Sequence, residues 1–301
     1  MAKKVAIGTW AYMFGPYQDH PVPLNEVIEK LEELEFDGLE LAGFSPHAGL
    51  KDYPTSASRL ELRRRIEDHG LEVCGVAADL WSYAPGADDD QVRRQWLDSF
   101  KAHCDLCLDV GSPSIRMDTC LPPTILEKQD YDTTWQRTVE GFRAATELAS
   151  DKGLFVVWEF EPGFVFNKPS EIVKMVNEVG HPDFRVLYDT CHAHMCSVVG
   201  ARQPEPKETL PGGQVTLARM LTGNIGHIHL IDSDNTLHDN ETSTHAPFGL
   251  GVIDFDEVIP AILEAGYDSE WWSIDLCFWP EAWEVTAQSK EFLDGMIAKY
   301  G

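Results

Sequence analysis

Four short apolar runs each stop at a residue that a divalent cation binds: Val-Val-Trp-Glu159, Val-Leu-Tyr-Asp189-Thr-Cys-His192, Gly-His-Ile-His229 and Trp-Ser-Ile-Asp275. Carboxylate oxygens together with one imidazole nitrogen make a hard-to-borderline donor set, suited to Mn, Co, Zn or Mg. Each residue also has an ordinary reading. A Glu that ends a strand is commonly a surface residue, Asp189-Thr190 is a plausible helix cap, and a lone His is usually a satisfied core residue. The metal reading depends on a fold that gathers the four ends. A closed parallel barrel does so, because all its strand C-termini open on one face.

The chain carries the elements for such a barrel. Strand-like Val5–Trp10 precedes a helical pattern over Leu24–Glu35, with Leu24, Val27, Ile28 and Leu31 at helical spacing. Gly38–Ala42 and Ser56–His69 follow, then Glu72–Ala77 and Asp89–Asp109, Ser114–Asp118 and Tyr131–Lys152, Leu154–Glu159 and Pro169–Val179. Phe184–Asp189 leads into an irregular stretch containing Gln214–Leu221. Ile225–Asp232 with Asp254–Ala265, and Trp271–Leu276 with Glu281–Tyr300, complete eight strand–helix units. Strands with little polar alternation are buried on both faces, as in parallel sheets. Glycines before the strands (Gly38, Gly70, Gly111, Gly153, Gly226 and Gly266) mark helix ends and turns. An open doubly wound sheet is the alternative. However, Gly8-Thr9-Trp10 is no dinucleotide fingerprint and no Walker-type loop is present. The expectation is one α/β domain over residues 1–301, a single (β/α)8 TIM barrel, with residues 196–213 as a surface insertion or lid.

Composition excludes several functions. With 50 acidic and 24 basic residues the net charge is −26, which repels nucleic-acid phosphates and anionic lipids. No apolar run approaches the roughly 20 residues that span a bilayer. The N-terminus lacks a signal-peptide core, so a cytoplasmic protein without membrane or nucleic-acid partners is expected. The seven cysteines are scattered. The one C-x-x-C, Cys104 and Cys107, lies within a helical pattern and reads as a pair of buried thiols.

The order Glu, Asp-x-x-His, His, acid on the last four strands resembles the xylose isomerase-like barrels. The chain is similar to their sugar phosphate isomerase/epimerase group, which includes tagatose/psicose-type 3-epimerases and inosose isomerases and dehydratases. Phe36-Asp37-Gly38-Leu39-Glu40-Leu41 and Leu250-Gly251-Val252-Ile253-Asp254-Phe255 extend the resemblance over nearly the whole chain. It implies one metal, Mn first with Co, Zn or Mg as alternatives, held by Glu159, Asp189, His229 and Asp275. Asp275 stands where the group has Glu, one methylene shorter. Glu159 and Glu161 face the same side of a strand, as do His227 and His229. The resemblance favours Glu159 and His229 as ligands. Glu161 is left to bind substrate or support the ligands, and His227 to form hydrogen bonds in the core.

The resemblance further implies proton abstraction beside a metal-bound carbonyl of a keto-sugar or cyclitol. Glu159 and Asp275 would be the bases, and His192 would hydrogen-bond a substrate oxygen. If Asp275 does not reach, a one-base isomerisation or an elimination takes the place of epimerisation. Arg116 and Lys168 are candidate cations for substrate, and Trp10 and Trp279 candidate stacking surfaces for a sugar ring. A metal-dependent lyase and a non-catalytic sugar-binding barrel or partner subunit are the other readings. A DNA-repair endonuclease on the same barrel is opposed by the charge. The small-molecule carbohydrate would be the main partner, and a homodimer or homotetramer fits the group.

Overall fold

Residues 2–301 are described by the computed structural model. The barrel strands are β1 (Lys4–Ile7), β2 (Gly38–Gly43), β3 (Glu72–Ala78), β4 (Ser114–Met117), β5 (Phe155–Glu159), β6 (Phe184–Asp189) and β7 (Ile225–Leu230), with the eighth at Trp271–Ile274. All pair in parallel, in the order of a barrel opened between β1 and β2. That last seam is held by a bridge between Gly8 and Glu40 and by the Asp37 carboxylate, which accepts from the Val5 amide at 2.8 Å. This is the expected single (β/α)8 barrel.

Helices α1 (Leu24–Glu33), α2 (Ser56–Asp68), α3 (Asp90–Val110), α4 (Tyr131–Ser150) and α5 (Pro169–Val179) cover the outside after β1 to β5. Several start where the chain supplies a cap. Thr55, Asp89 and Asp130 each accept a first-turn amide before α2, α3 and α4. Asp189 does the same for the short α6 (Thr190–His194), so the reading of that Asp as a helix cap also holds. Helices α7 (Gly213–Met220), α8 (Phe255–Glu264) and α9 (Ala282–Tyr300) complete the ring. Cys104 and Cys107 are buried and free, as expected of core thiols.

Two segments differ from expectation. The stretch after β7, expected as a loop, forms an antiparallel hairpin of β8 (Asp232–His238) and β9 (Thr242–Ala246), which makes the eighth barrel strand β10. Its strands are polar and lack the apolar alternation by which strands are recognised. The Asp232 carboxylate anchors the hairpin base by accepting from the amides of Gly249, Gly251 and Ile253 at 3.1, 3.0 and 3.0 Å. Residues 196–213 begin within a π turn, Met195–Val199, that continues α6 and buries Met195, Cys196 and Ser197 while exposing Val198. The rest is tied to the start of α5, where Glu208 accepts from the Ser170 amide at 2.8 Å and buried Gln203 donates to the Cys196 carbonyl at 2.8 Å.

Candidate metal centre

The strand register gathers the predicted ligands. Asp189 on β6 lies beside His229 on β7, and His229 lies beside Ser273 on β10, two residues before Asp275. Glu159 ends β5 on the other side of β6. Glu159, Asp189, His229 and Asp275 each bring one ligand atom to within 4.8 Å of the others, and all four are buried.

Three of these atoms, Glu159 Oε1, Asp189 Oδ2 and His229 Nδ1, are buried without a hydrogen-bond partner, although His229 Nδ1 is only 3.0 Å from Glu159 Oε1. Buried polar groups are rarely left so. The other ring nitrogen explains the arrangement: His229 Nε2 donates to Glu40 Oε1 at 2.9 Å. A proton held at Nε2 leaves the Nδ1 lone pair facing the three carboxylates, which is how a carboxylate orients a metal-binding imidazole. The donor set therefore fits one divalent cation.

The electrostatics agree. Burial, with Glu159 and Asp275 close by, raises the Asp189 pKa well above the usual carboxylate range, a shift that a bound cation reverses. Burial also opposes the Glu159 carboxylate, but the Arg116 guanidinium beside it outweighs this and brings its pKa down to about 2. The Arg116 guanidinium contacts Glu159 Oε2 and lies 3.3 Å from Asp118 Oδ1.

Asp275 uses its two oxygens differently. Oδ1 accepts from Trp10 Nε1 at 3.0 Å and from the Cys277 amide at 2.8 Å, while Oδ2 lies 3.4 Å from His229 Nδ1. Trp10 reaches this position by lying over Gly8, where any Cβ would fall 2.3 Å from the indole.

A cavity of about 520 Å³ opens above the ligands. Glu161, His192, Arg116 and Trp10 line it. His192 Nδ1 pairs with Ser243 Oγ on β9 at 2.8 Å, and its Nε2 lies 3.4 Å from Glu161 Oε2, which also accepts from Thr242. Burial and the neighbouring His245 bring the His192 pKa down to about 3, and burial pushes that of Glu161 up to about 8.

Two expected contributors are absent from the cavity wall. Lys168 caps α5 and turns outward, donating to the Pro206 carbonyl at 2.8 Å. Trp279 packs against the main core. The chain turns at Phe278, whose φ is 64°, so that Phe278 rather than Trp279 faces the cavity.

Four residues around the site escaped sequence reasoning, Glu40 and the hairpin residues Thr242, Ser243 and His245. Glu40 accepts from both His227 and His229, at 2.8 and 2.9 Å, so His227 is the hydrogen-bonded core residue expected. The signal for Glu40 was a single carboxylate in the apolar run Gly38–Ala42. Thr242, Ser243 and His245 belong to the unrecognised hairpin. Neither ring nitrogen of buried His245 has a hydrogen-bond partner, and its Nε2 is 3.8 Å from Asp189 Oδ2.

Three carboxylates and an imidazole converge at the C-terminal mouth of a parallel barrel, a donor set that could hold a metal ion. The chain belongs to the xylose isomerase-like TIM barrel family, which matches residues 28–294. Inosose dehydratase of Erwinia tasmaniensis is 25% identical over 252 residues, covering 76% of this chain and 77% of that protein. Fructoselysine 3-epimerase of Escherichia coli O157:H7 is 20% identical over 258 residues, covering 82% and 83%. Among solved structures, a D-tagatose 3-epimerase-like protein superposes with a TM-score of 0.73 at 19% identity, over 99% of this chain and 100% of that one. The IOLI protein, solved with a zinc atom, gives 0.76 at 18% identity over 99% of each chain.

Proposed function

We propose that this chain is a divalent-metal-dependent enzyme that removes a proton from the carbon beside a carbonyl of a keto-sugar or cyclitol. The observation that carries this reading is the set of converging ligand atoms, three of them without hydrogen-bond partners, beside a cavity of about 520 Å³. Glu159, Asp189, His229 and Asp275 would hold the cation, with Mn the first choice for so carboxylate-rich a set. When bound, it would polarise the substrate carbonyl and stabilise the charge left by proton loss. The epimerases and dehydratases among the relatives support the same carbon-acid chemistry.

The residues around the cavity divide the work unevenly. Glu159 is engaged by Arg116, and Asp275 Oδ1 by two donors, so neither is a free base on its face of the substrate. Glu161 is outside the ligand set, lines the cavity and is steadied by Thr242, which makes it the carboxyl best placed to carry a proton. His192, oriented by Ser243, would hold a substrate oxygen.

An acid–base group on one wall suits isomerisation better than two-base epimerisation. It also supports a second reading, β-elimination, in which the carbon proton goes to the base and the departing hydroxyl takes a proton and leaves as water. The test is incubation of the Mn-loaded protein with keto-sugars and inososes in D2O. Deuterium at the carbon beside the carbonyl, lost in Glu161→Gln, is the expected result, and a dehydrated product would select elimination. A metal-loaded protein that exchanges no substrate proton would leave the sugar-binding, non-catalytic barrel.

A further inference from the structure

The cavity has two unlike ends. At the deep end Glu159, Asp275, His192 and Arg116 supply charges and hydrogen bonds. At the outer end the wall is a cluster of rings. Phe14 stacks on Phe44 and on Phe278 at 5.5 and 5.3 Å between centroids, with planes within 18° and 22°. Trp81 leans on Phe14 and Phe44 at 5.6 and 5.0 Å. His238 from the hairpin stacks on Phe278 at 4.4 Å. Trp81 is 45% exposed.

The cavity is larger than a single sugar ring needs. The volume of about 520 Å³ belongs with pockets that take drug-sized ligands, roughly 300–1,000 Å³. Arg202, Asp239 and Glu241 also line the cavity, but hydroxyls turned towards the rings of Phe14, Phe44 and Phe278 would meet no hydrogen-bonding group there, and buried hydroxyls without partners are unfavourable. A flat apolar ring has the complementary chemistry, because aromatic faces and edges pack against one another in offset and tilted geometries.

We propose that the substrate is a glycoside, with its sugar ring over the carboxylate-rich floor and an aromatic aglycone against the Phe14–Phe44–Phe278–Trp81 wall. This deepens the reading of the site as a sugar-modifying centre and rests on it for the sugar end. The test is binding of phenyl β-D-glucopyranoside and methyl β-D-glucopyranoside to the Mn-loaded protein by calorimetry. The phenyl compound should bind at least about tenfold tighter, as expected for a ring that gains both burial and stacking. Trp81→Ala, at an exposed position outside the hydrophobic core, should cut that ratio at least threefold. Equal affinities, no measurable binding of either compound, or a ratio unchanged in Trp81→Ala would overturn the aglycone site. Deuterium exchange into free keto-sugars without a phenyl preference would sink only this inference. A phenyl preference without any exchange would sink only the proposed reaction.

Discussion

Glu40 is a carboxylate inside the barrel that reaches two histidines of β7, 187 and 189 residues away in sequence. Its bond to His229 Nε2 decides which ring nitrogen faces the ligand cluster. Glu40→Gln keeps the size and removes the charge. It should weaken metal affinity about 10–100-fold, the usual effect of losing a ligand's outer partner. Competition against a fluorescent chelator measures this, and unchanged affinity would mean that His229 is oriented by something else. Arg116 is the other residue whose loss should be severe, since it is the cation that Glu159 and Asp118 share. Arg116→Met leaves buried carboxylates unpaired and should cost about 3–5 kcal/mol in urea unfolding of the metal-free protein. A loss within error would show that the cluster protonates instead. At this scale the four ligands were readable because each closes an apolar run. Glu40 was not, because its partners become neighbours only when the barrel closes.

The strand–helix alternation was legible from β1 to α9 because buried parallel strands read as unbroken apolar runs. The β8–β9 hairpin was not, since its pairing rests on the Asp232 anchor and on backbone bonds rather than on apolar pattern. With it were lost Thr242, Ser243 and His245, which position Glu161 and His192 or face Asp189. Loop direction was equally hidden, which is why Lys168 and Trp279 were expected in the cavity and lie outside it. The loop after β2 yields its own prediction. His47 is fully buried with Nε2 2.9 Å from the Val22 carbonyl, and burial pushes its pKa down to about 4. Unfolded, it takes a proton near pH 6.5; folded, it resists until about 4. Its contribution is therefore complete above pH 6.5 and drains away as pH falls towards 4, by about 3 kcal/mol. The stability difference between the protein and His47→Gln should shrink across that window. A difference that is flat with pH would contradict the assignment.

For the whole molecule, the proposed ligands come from four neighbouring strands (β5, β6, β7 and β10), so a bound cation would cross-link half the barrel. Without it, three carboxylates crowd one buried space in a chain already carrying a charge of −26. Chelation should lower the unfolding temperature by roughly 5–10 °C, from the ~2.7 kcal/mol that a ligand at a hundredfold its Kd contributes. Scanning calorimetry with and without chelator reads this directly, and coincident transitions would deny the cross-link. Among the described residues no helix is long and apolar enough to cross a membrane, in line with a sequence whose apolar runs all fall well short of the roughly 20 residues that span a bilayer.

The most direct test of the central claim is the metal content of the purified protein beside Asp189→Asn, by elemental mass spectrometry after reconstitution with Mn. Close to one equivalent in the protein and little in the variant is the result predicted by a site built from Glu159, Asp189, His229 and Asp275. Equal metal in both, or none in either, would contradict it.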